Sequence, residues 1–158
     1  MKIDVISVGK IKEDFVLKGI KHYQKPLSKF TVITFKHVKP EPLDDNASDK
    51  DKETVKEKEA QALLSRANPS YRIALSPEGN LINSEAFAKT IEEVQIYHGS
   101  KLTFFIGGSH GLSNTLKQQA DKVISFSTLT FPHQLFTLIL TEQIFRAYKI
   151  INNEPYHK

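Results

Sequence analysis

The chain has no cysteine and no tryptophan among its 158 residues, and its one methionine is the first residue. Without cysteine it has neither a disulfide framework nor a thiolate to serve as nucleophile or metal ligand. No apolar run approaches the roughly 20 residues of a membrane span, and Met1-Lys2-Ile3-Asp4-Val5 reads as a strand rather than a leader. The expected compartment is the cytoplasm. Internal repeats and low-complexity tracts are also missing. Glycine is scarce at seven residues, yet three of the seven fall within five positions, at Gly107, Gly108 and Gly111.

What is present is ordinary in bulk: 39% hydrophobic and 25% charged residues, the balance of one soluble domain spanning residues 1–158. The net charge of +4 is unevenly spread, with basic ends and an acidic middle. A basic face can recruit nucleic acid through phosphates, but a pI near 9.2 does not by itself decide the matter.

The glycine cluster ends the apolar run Leu102-Thr103-Phe104-Phe105-Ile106. Glycine there permits positive φ and lets a ligand reach main-chain N–H and C=O groups. A binding loop at the carboxyl end of a buried strand is therefore expected. A tight turn without a ligand fits the same residues, and Gly107-x-Ser109-x-Gly111 also has the spacing of a nucleophile elbow.

Along the chain, Lys2 to Val8 reads as a strand ended by Gly9. Phe15, Val16, Ile20 and Tyr23 form a helical stripe closed by Pro26, and Phe30 to Phe35 is a β-branched and aromatic strand. Ser48 offers a capping-box start for a long helix with Val55, Ala60, Leu63, Leu64 and Ala67 as its stripe. Tyr71 to Leu75 is a short strand running into a turn at Ser76-Pro77-Glu78-Gly79-Asn80. Asn83 or Ser84 caps a helix built on Phe87, Ile91 and Val94. After the glycine loop, Ser113 caps a short helix, Val123 to Ser125 is a brief strand, and Pro132 begins the last long helix. This alternation predicts a three-layer α/β domain with a mainly parallel sheet. Ligands of such sheets sit beyond the carboxyl ends of the strands, here the loops after Leu75, Ile106 and Ser125.

Ile106-Gly107-Gly108-Ser109-His110-Gly111-Leu112, Ser125-Phe126-Ser127 with Thr130-Phe131-Pro132-His133, Glu142-Gln143 with Arg146-Ala147, and Pro155-Tyr156-His157-Lys158 follow one another in order. Together they closely resemble the RlmH family of SPOUT methyltransferases, which methylates N3 of a pseudouridine in a stem-loop of 23S ribosomal RNA. The resemblance runs from Met1 to Lys158. It implies a SPOUT-like fold with a C-terminal trefoil knot, S-adenosylmethionine as methyl donor, 23S rRNA within the large subunit or ribosome as partner, a homodimer, and neither metal nor membrane. By motif it assigns Leu75, Gly107, Gly108, Gly111, Phe126, Ser127, Thr128, Leu129, Thr130 and Phe131 to the donor pocket. His157, Tyr156, Arg146 and His133 become the candidate catalytic residues, with Tyr156 and His157 reaching an active site that belongs to the chain itself or to a partner subunit. Many relatives carry an acidic residue and a lysine where this chain has Ser76 and Asn80.

N3 must lose a proton before it accepts a methyl group, so a base or a polarising site is required. Two other function classes compete. One is a hydrolase with Ser109 as nucleophile, supported by Asp121 and by His133 or His157. The other is a basic ribosome-binding factor without catalysis. On the last helix, Leu135, Phe145 and Tyr148 suggest an apolar surplus suited to a two-fold interface.

Overall fold

The computed structural model describes all 158 residues. Its elements are β1 (Lys2–Val8), α1 (Asp14–Leu27), β2 (Val32–Val38), α2 (Asp49–Arg66), β3 (Tyr71–Leu81), α3 (Ser84–Tyr97), β4 (Lys101–Ile106), α4 (Asn114–Gln119), β5 (Lys122–Ser125) and α5 (His133–Ile151). All five strands are parallel, in the order β2-β1-β4-β3-β5. The apolar run before the glycine cluster is thus the central strand, β4. Its register sets Leu102 beside Ile3 on one neighbour and beside Tyr71 on the other.

Side chains alternate across a strand, and the two faces have separate cores. Ile3, Val5, Ile73, Leu75, Leu102, Phe104 and Ile106 belong to the larger core, with Leu27 of α1, Phe87, Ile91 and Val94 of α3, and Leu140 and Ile144 of α5. Ile6, Val8, Ala74 and Phe105 face the other way, onto Ala60 and Leu63 of α2 and Leu116 of α4. These are the three layers, helices over both faces of a parallel sheet.

Local chemistry sets the helix starts. Ser48 Oγ accepts the Asp51 N–H at 3.1 Å while Asp51 reaches back to the Ser48 N–H, the reciprocal capping box. Asn83, rather than Ser84, caps α3 by accepting the Ala86 N–H at 2.8 Å. Ser113 does the same for α4.

Four expectations are corrected. Pro26 lies inside the last turn of α1, which runs on to a buried Leu27. Phe15 leaves the apolar stripe and is 62% exposed. Phe145 and Tyr148 are no surplus: both are buried, Tyr148 stacked on Phe30 and Phe145 packed against Tyr23 and Tyr156. Finally, the segment after Leu75 is no simple turn. The strand resumes, so that Leu75 and Asn80 both pair with Ile124 and residues 76–79 stand out as a bulge. A Cβ on Gly79 would lie 2.8 Å from the Ile124 backbone, so this close approach requires glycine.

Candidate active site

Beyond the carboxyl ends of β3, β4 and β5 lies a cavity of about 640 Å³, within the usual range for small-molecule sites. The bulge supplies one wall through Ser76, Pro77 and Glu78, the glycine loop a second, and the segment from Phe126 to Phe136 a third. Of the candidate donor-pocket residues, Leu75, Gly107, Gly108, Gly111, Phe126, Ser127, Leu129, Thr130 and Phe131 line it. Thr128 does not; it is exposed and off the wall.

The glycine loop is tight. Gly111 donates its N–H to the Gly108 carbonyl at 3.1 Å, and Gly111 holds φ at +80°. At Gly107 a Cβ would meet the Gly111 carbonyl carbon at 2.7 Å, and at Gly108 one would press on Val8 at 3.0 Å. The loop thus folds back on its own backbone, a shape that any side chain at Gly107 would force open.

The third wall is braced by aromatics and short hydrogen bonds. Phe126 meets Phe87 edge-on at 5.1 Å and packs on Phe136, which stacks with Phe131. Ser125 Oγ donates to the Ser127 carbonyl at 2.9 Å, and the Leu129 N–H donates to Ser127 Oγ at 3.0 Å. Leu129 itself is 66% exposed at the rim.

His133 opens α5 and faces this cavity. Its buried Nε2 has no hydrogen-bond partner, and burial lowers its pKa below the ordinary value of 6.5. A neutral imidazole is therefore the form present near pH 7. Its ring rests against Gly9, where a Cβ would lie 2.9 Å from Nε2.

Lys56 and Lys117 also line the cavity, and reading the sequence did not single them out. Lys56 sits in a helix rich in lysine and glutamate and Lys117 is the lone charge of the short polar α4, so nothing in either local pattern separates them from a solvated face. Lys117 pairs with Glu78 at 2.5 Å, which lowers the Glu78 pKa, and Lys56 pairs with Glu53 at 3.0 Å.

Arg146, Tyr156 and His157 gather elsewhere, around Glu142. One carboxylate oxygen, Glu142 Oε1, accepts Arg146 Nε at 3.0 Å, Arg146 Nη2 at 2.6 Å and the Tyr156 hydroxyl at 3.0 Å. The Arg146 guanidinium lies 4.7 Å from the Tyr156 ring centre, and Nη1 sits 3.2 Å from His157 Nδ1. Since Arg146 can only donate, His157 Nδ1 accepts, and Nε2 carries the proton that it donates to Glu85 Oε1 at 2.9 Å. Burial and the Glu142 carboxylate push the Tyr156 pKa well above its ordinary value, so the phenol keeps its proton. The tail is therefore clamped onto α5 and the start of α3. None of its three candidate residues lines the cavity of the same chain.

The hydrolase reading finds no support. No histidine or carboxylate hydrogen-bonds Ser109, and Asp121 accepts the Arg72 N–H at 2.7 Å beside the amino ends of β3 and β5, the end of the strands away from the cavity. No three histidine or acidic side chains converge as metal ligands would, and no helix is long and apolar enough to cross a membrane.

Comparison with known proteins gives a consistent result. A family model described as predicted SPOUT methyltransferase matches residues 1–157. A protein of Shouchella clausii named ribosomal RNA large subunit methyltransferase H is 46% identical over the whole of both chains. Proteins of the same name from Bacillus pumilus and Streptococcus uberis are 43% and 47% identical, again over full length. Among solved structures, a probable methylase family protein from Haemophilus influenzae aligns with a TM-score of 0.54 at 13% identity, covering 99% of this chain and 70% of that one. A tRNA (m1G37) methyltransferase from Aquifex aeolicus aligns at 0.56 and 8% identity, covering 92% and 70%. At such identities the two structures speak for the fold alone.

Proposed function

The chain belongs to the SPOUT methyltransferase family, and from that membership we infer that it methylates large-subunit ribosomal RNA. In its finer form the reading is transfer of a methyl group from S-adenosylmethionine to N3 of a pseudouridine in 23S rRNA, in the cytoplasm, by a homodimer of single-domain chains that carry the family's trefoil knot. The observation that carries it is the coincidence of two things. Identity of 43–47% extends over the full length, and the same length of chain builds a cavity at the carboxyl ends of adjacent parallel strands.

The cavity suits such a donor. Leu75, Ile106, Leu112, Phe126 and Phe131 offer apolar wall to a heteroaromatic ring, while the glycine loop brings bare backbone to it. When bound, the sulfonium donor supplies an activated methyl group, so the protein's task is positioning, charge balance and proton removal. Leu75, Gly107, Gly108, Gly111 and the residues from Phe126 to Phe131 hold the donor. Thr128, off the wall, shapes the loop that carries its neighbours. His133, neutral and on the cavity wall, is a candidate to receive a proton once its ring turns Nε2, buried against Gly9, toward the cavity.

Arg146, Tyr156 and His157 act on the cavity of the partner subunit. The tail clamp leaves them outside their own cavity yet fixes their geometry in advance. Arg146 contacts a phosphate or the target base, Tyr156 holds it in place through Glu142, and His157 joins His133 as a candidate to receive the N3 proton once its Nδ1 leaves Arg146.

Calorimetric titration with S-adenosylmethionine and S-adenosylhomocysteine tests the reading. Micromolar binding, about -8 kcal/mol, is expected for the protein and should be lost in Gly107→Arg. Methyl transfer to ribosomes or to 23S rRNA should follow the same pattern. A folded protein that binds RNA but neither compound would instead be a non-catalytic ribosome factor.

A further inference from the structure

The outward face of α1 carries charge of one sign only beyond its first turn. With 3.6 residues per turn, Lys18, Lys21 and Lys25 fall on one stripe, opposite the buried Val16, Ile20 and Leu27. Lys29 continues the stripe past the end of the helix. Lys10 and Lys12 precede it in the loop that leaves β1, and all six lysines are exposed. No ion pair in the chain uses any of them.

That distinguishes α1 from α2, whose charged face mixes lysines with glutamates and holds the Lys56–Glu53 pair. Beside the lysine stripe, in the first turn, Phe15 stands 62% exposed with no aromatic neighbour.

The stripe also leads to the cavity. Gln134 Oε1 accepts the N–H groups of both Lys12 and Glu13, at 2.8 and 3.0 Å, which ties the start of α1 to the first turn of α5. His133, the preceding residue, lines the cavity and packs on Gly9. Further along, Gly19 lets α1 lie against Leu138: a Cβ there would be 2.8 Å from that side chain. The lysines are thus carried on a helix fixed to the cavity wall.

We propose that Lys10, Lys12, Lys18, Lys21, Lys25 and Lys29 form a track for the phosphodiester backbone of the substrate RNA, with Phe15 as a stacking platform for an unpaired base near the cavity mouth. This rests on the proposed rRNA methyltransferase reading and extends it from the reacting base to the strand around it. A row of unpaired cations on a rigid helix neutralises successive phosphates and releases their counterions, which makes binding steeply salt-dependent. An exposed aromatic ring accepts any base face without reading sequence.

The test compares the wild-type protein with Lys18→Gln/Lys21→Gln/Lys25→Gln and with Phe15→Ala, using the protein-free 23S rRNA stem-loop as probe. Loss of three phosphate contacts should weaken RNA binding at least tenfold at moderate salt and flatten the slope of log K against log salt by about 2. Phe15→Ala should weaken it about fivefold or more and leave the salt slope unchanged. Donor binding should be unaltered in both variants, since none of the four residues touches the cavity.

Unchanged RNA affinity and slope in the triple variant would overturn the proposal. So would lost methylation of whole ribosomes with RNA affinity intact, because the helix would then contact a ribosomal protein. A wild-type protein that binds this RNA but no methyl donor would refute the enzymatic reading and leave the lysine track to be judged on RNA binding alone.

Discussion

Glu59 is a carboxyl group only 5% exposed, and half of it is paired. Its Oε2 accepts the Glu41 N–H at 3.1 Å, while Oε1 has no partner and lies 3.6 Å from where a Cβ on Gly108 would be. Burial raises its pKa above the ordinary 4.5, opposed by the Glu41 amide and by His110. The folded state therefore binds this proton more tightly than the unfolded chain does. The stability it contributes is complete below about pH 4.5 and is lost as pH rises through the raised value. Glu59→Gln should thus gain in melting temperature relative to wild type between pH 4.5 and pH 8; a difference independent of pH would show that burial does not strain the carboxyl group. His157 calls for a different readout. Its ring bridges Arg146 and Glu85 at a distance from the donor cavity, so His157→Ala should lower turnover at least tenfold while leaving the donor Kd unchanged.

At the scale of elements, the bulge in β3 is a part of the cavity wall that admits little substitution. A methyl group at Gly79 would collide with the backbone of Val123 and Ile124 rather than with a yielding side chain. Gly79→Ala should cost about 1–3 kcal/mol of stability and weaken donor binding together with it. A loss of stability without a change in donor affinity would separate the bulge from the site. This element also marks the limit of what the sequence discloses. Pro77 and Gly79 signal a break, and they do interrupt pairing, but nothing local tells a turn from a bulge after which the strand resumes. Pro26 and Phe15 misled for related reasons. Proline is tolerated in a final helical turn when tertiary contacts hold the residues after it, and Phe15 lies next to an apolar stripe without belonging to it. By contrast, the ten elements, the caps at Ser48 and Ser113, the choice of Asn83 or Ser84 for α3 and the loops that wall the cavity were legible, because period, capping chemistry and glycine spacing are local properties. The clamp on Arg146, Tyr156 and His157 was not, since it depends on Glu85, far away in sequence.

For the whole molecule, the separation between the cavity and the tail cluster matters most. A single chain holds the cavity in one place and Arg146, Tyr156 and His157 in another, which two copies can reconcile if each tail serves the other's cavity. Complementation tests this arrangement. Gly107→Arg and His157→Ala, each at a tenth of wild-type activity or less alone, should recover about a quarter of it when mixed and allowed to exchange subunits, because random pairing makes half the dimers mixed and each mixed dimer holds one intact site. No recovery from a mixture shown to exchange would place the tail and the cavity of the same chain in one site.

The strand order has a consequence for biosynthesis. β1 is flanked by β2 on one side and by β4 on the other, with Lys2 opposite Lys101. At a translation rate of roughly 5–20 residues per second, the first strand waits on the order of 5–20 s for its central neighbour to be made. During that interval Ile3, Val5, Ile6 and Val8 lack the strand that pairs with β1 on its central side. The nascent chain is thus committed to a long wait with an open sheet edge, and the strand that closes it is the one that ends in the glycine loop. That strand brings the glycine loop, yet the cavity's third wall, from Phe126 to Phe136, is made later still, so the cavity is among the last features of the chain to form.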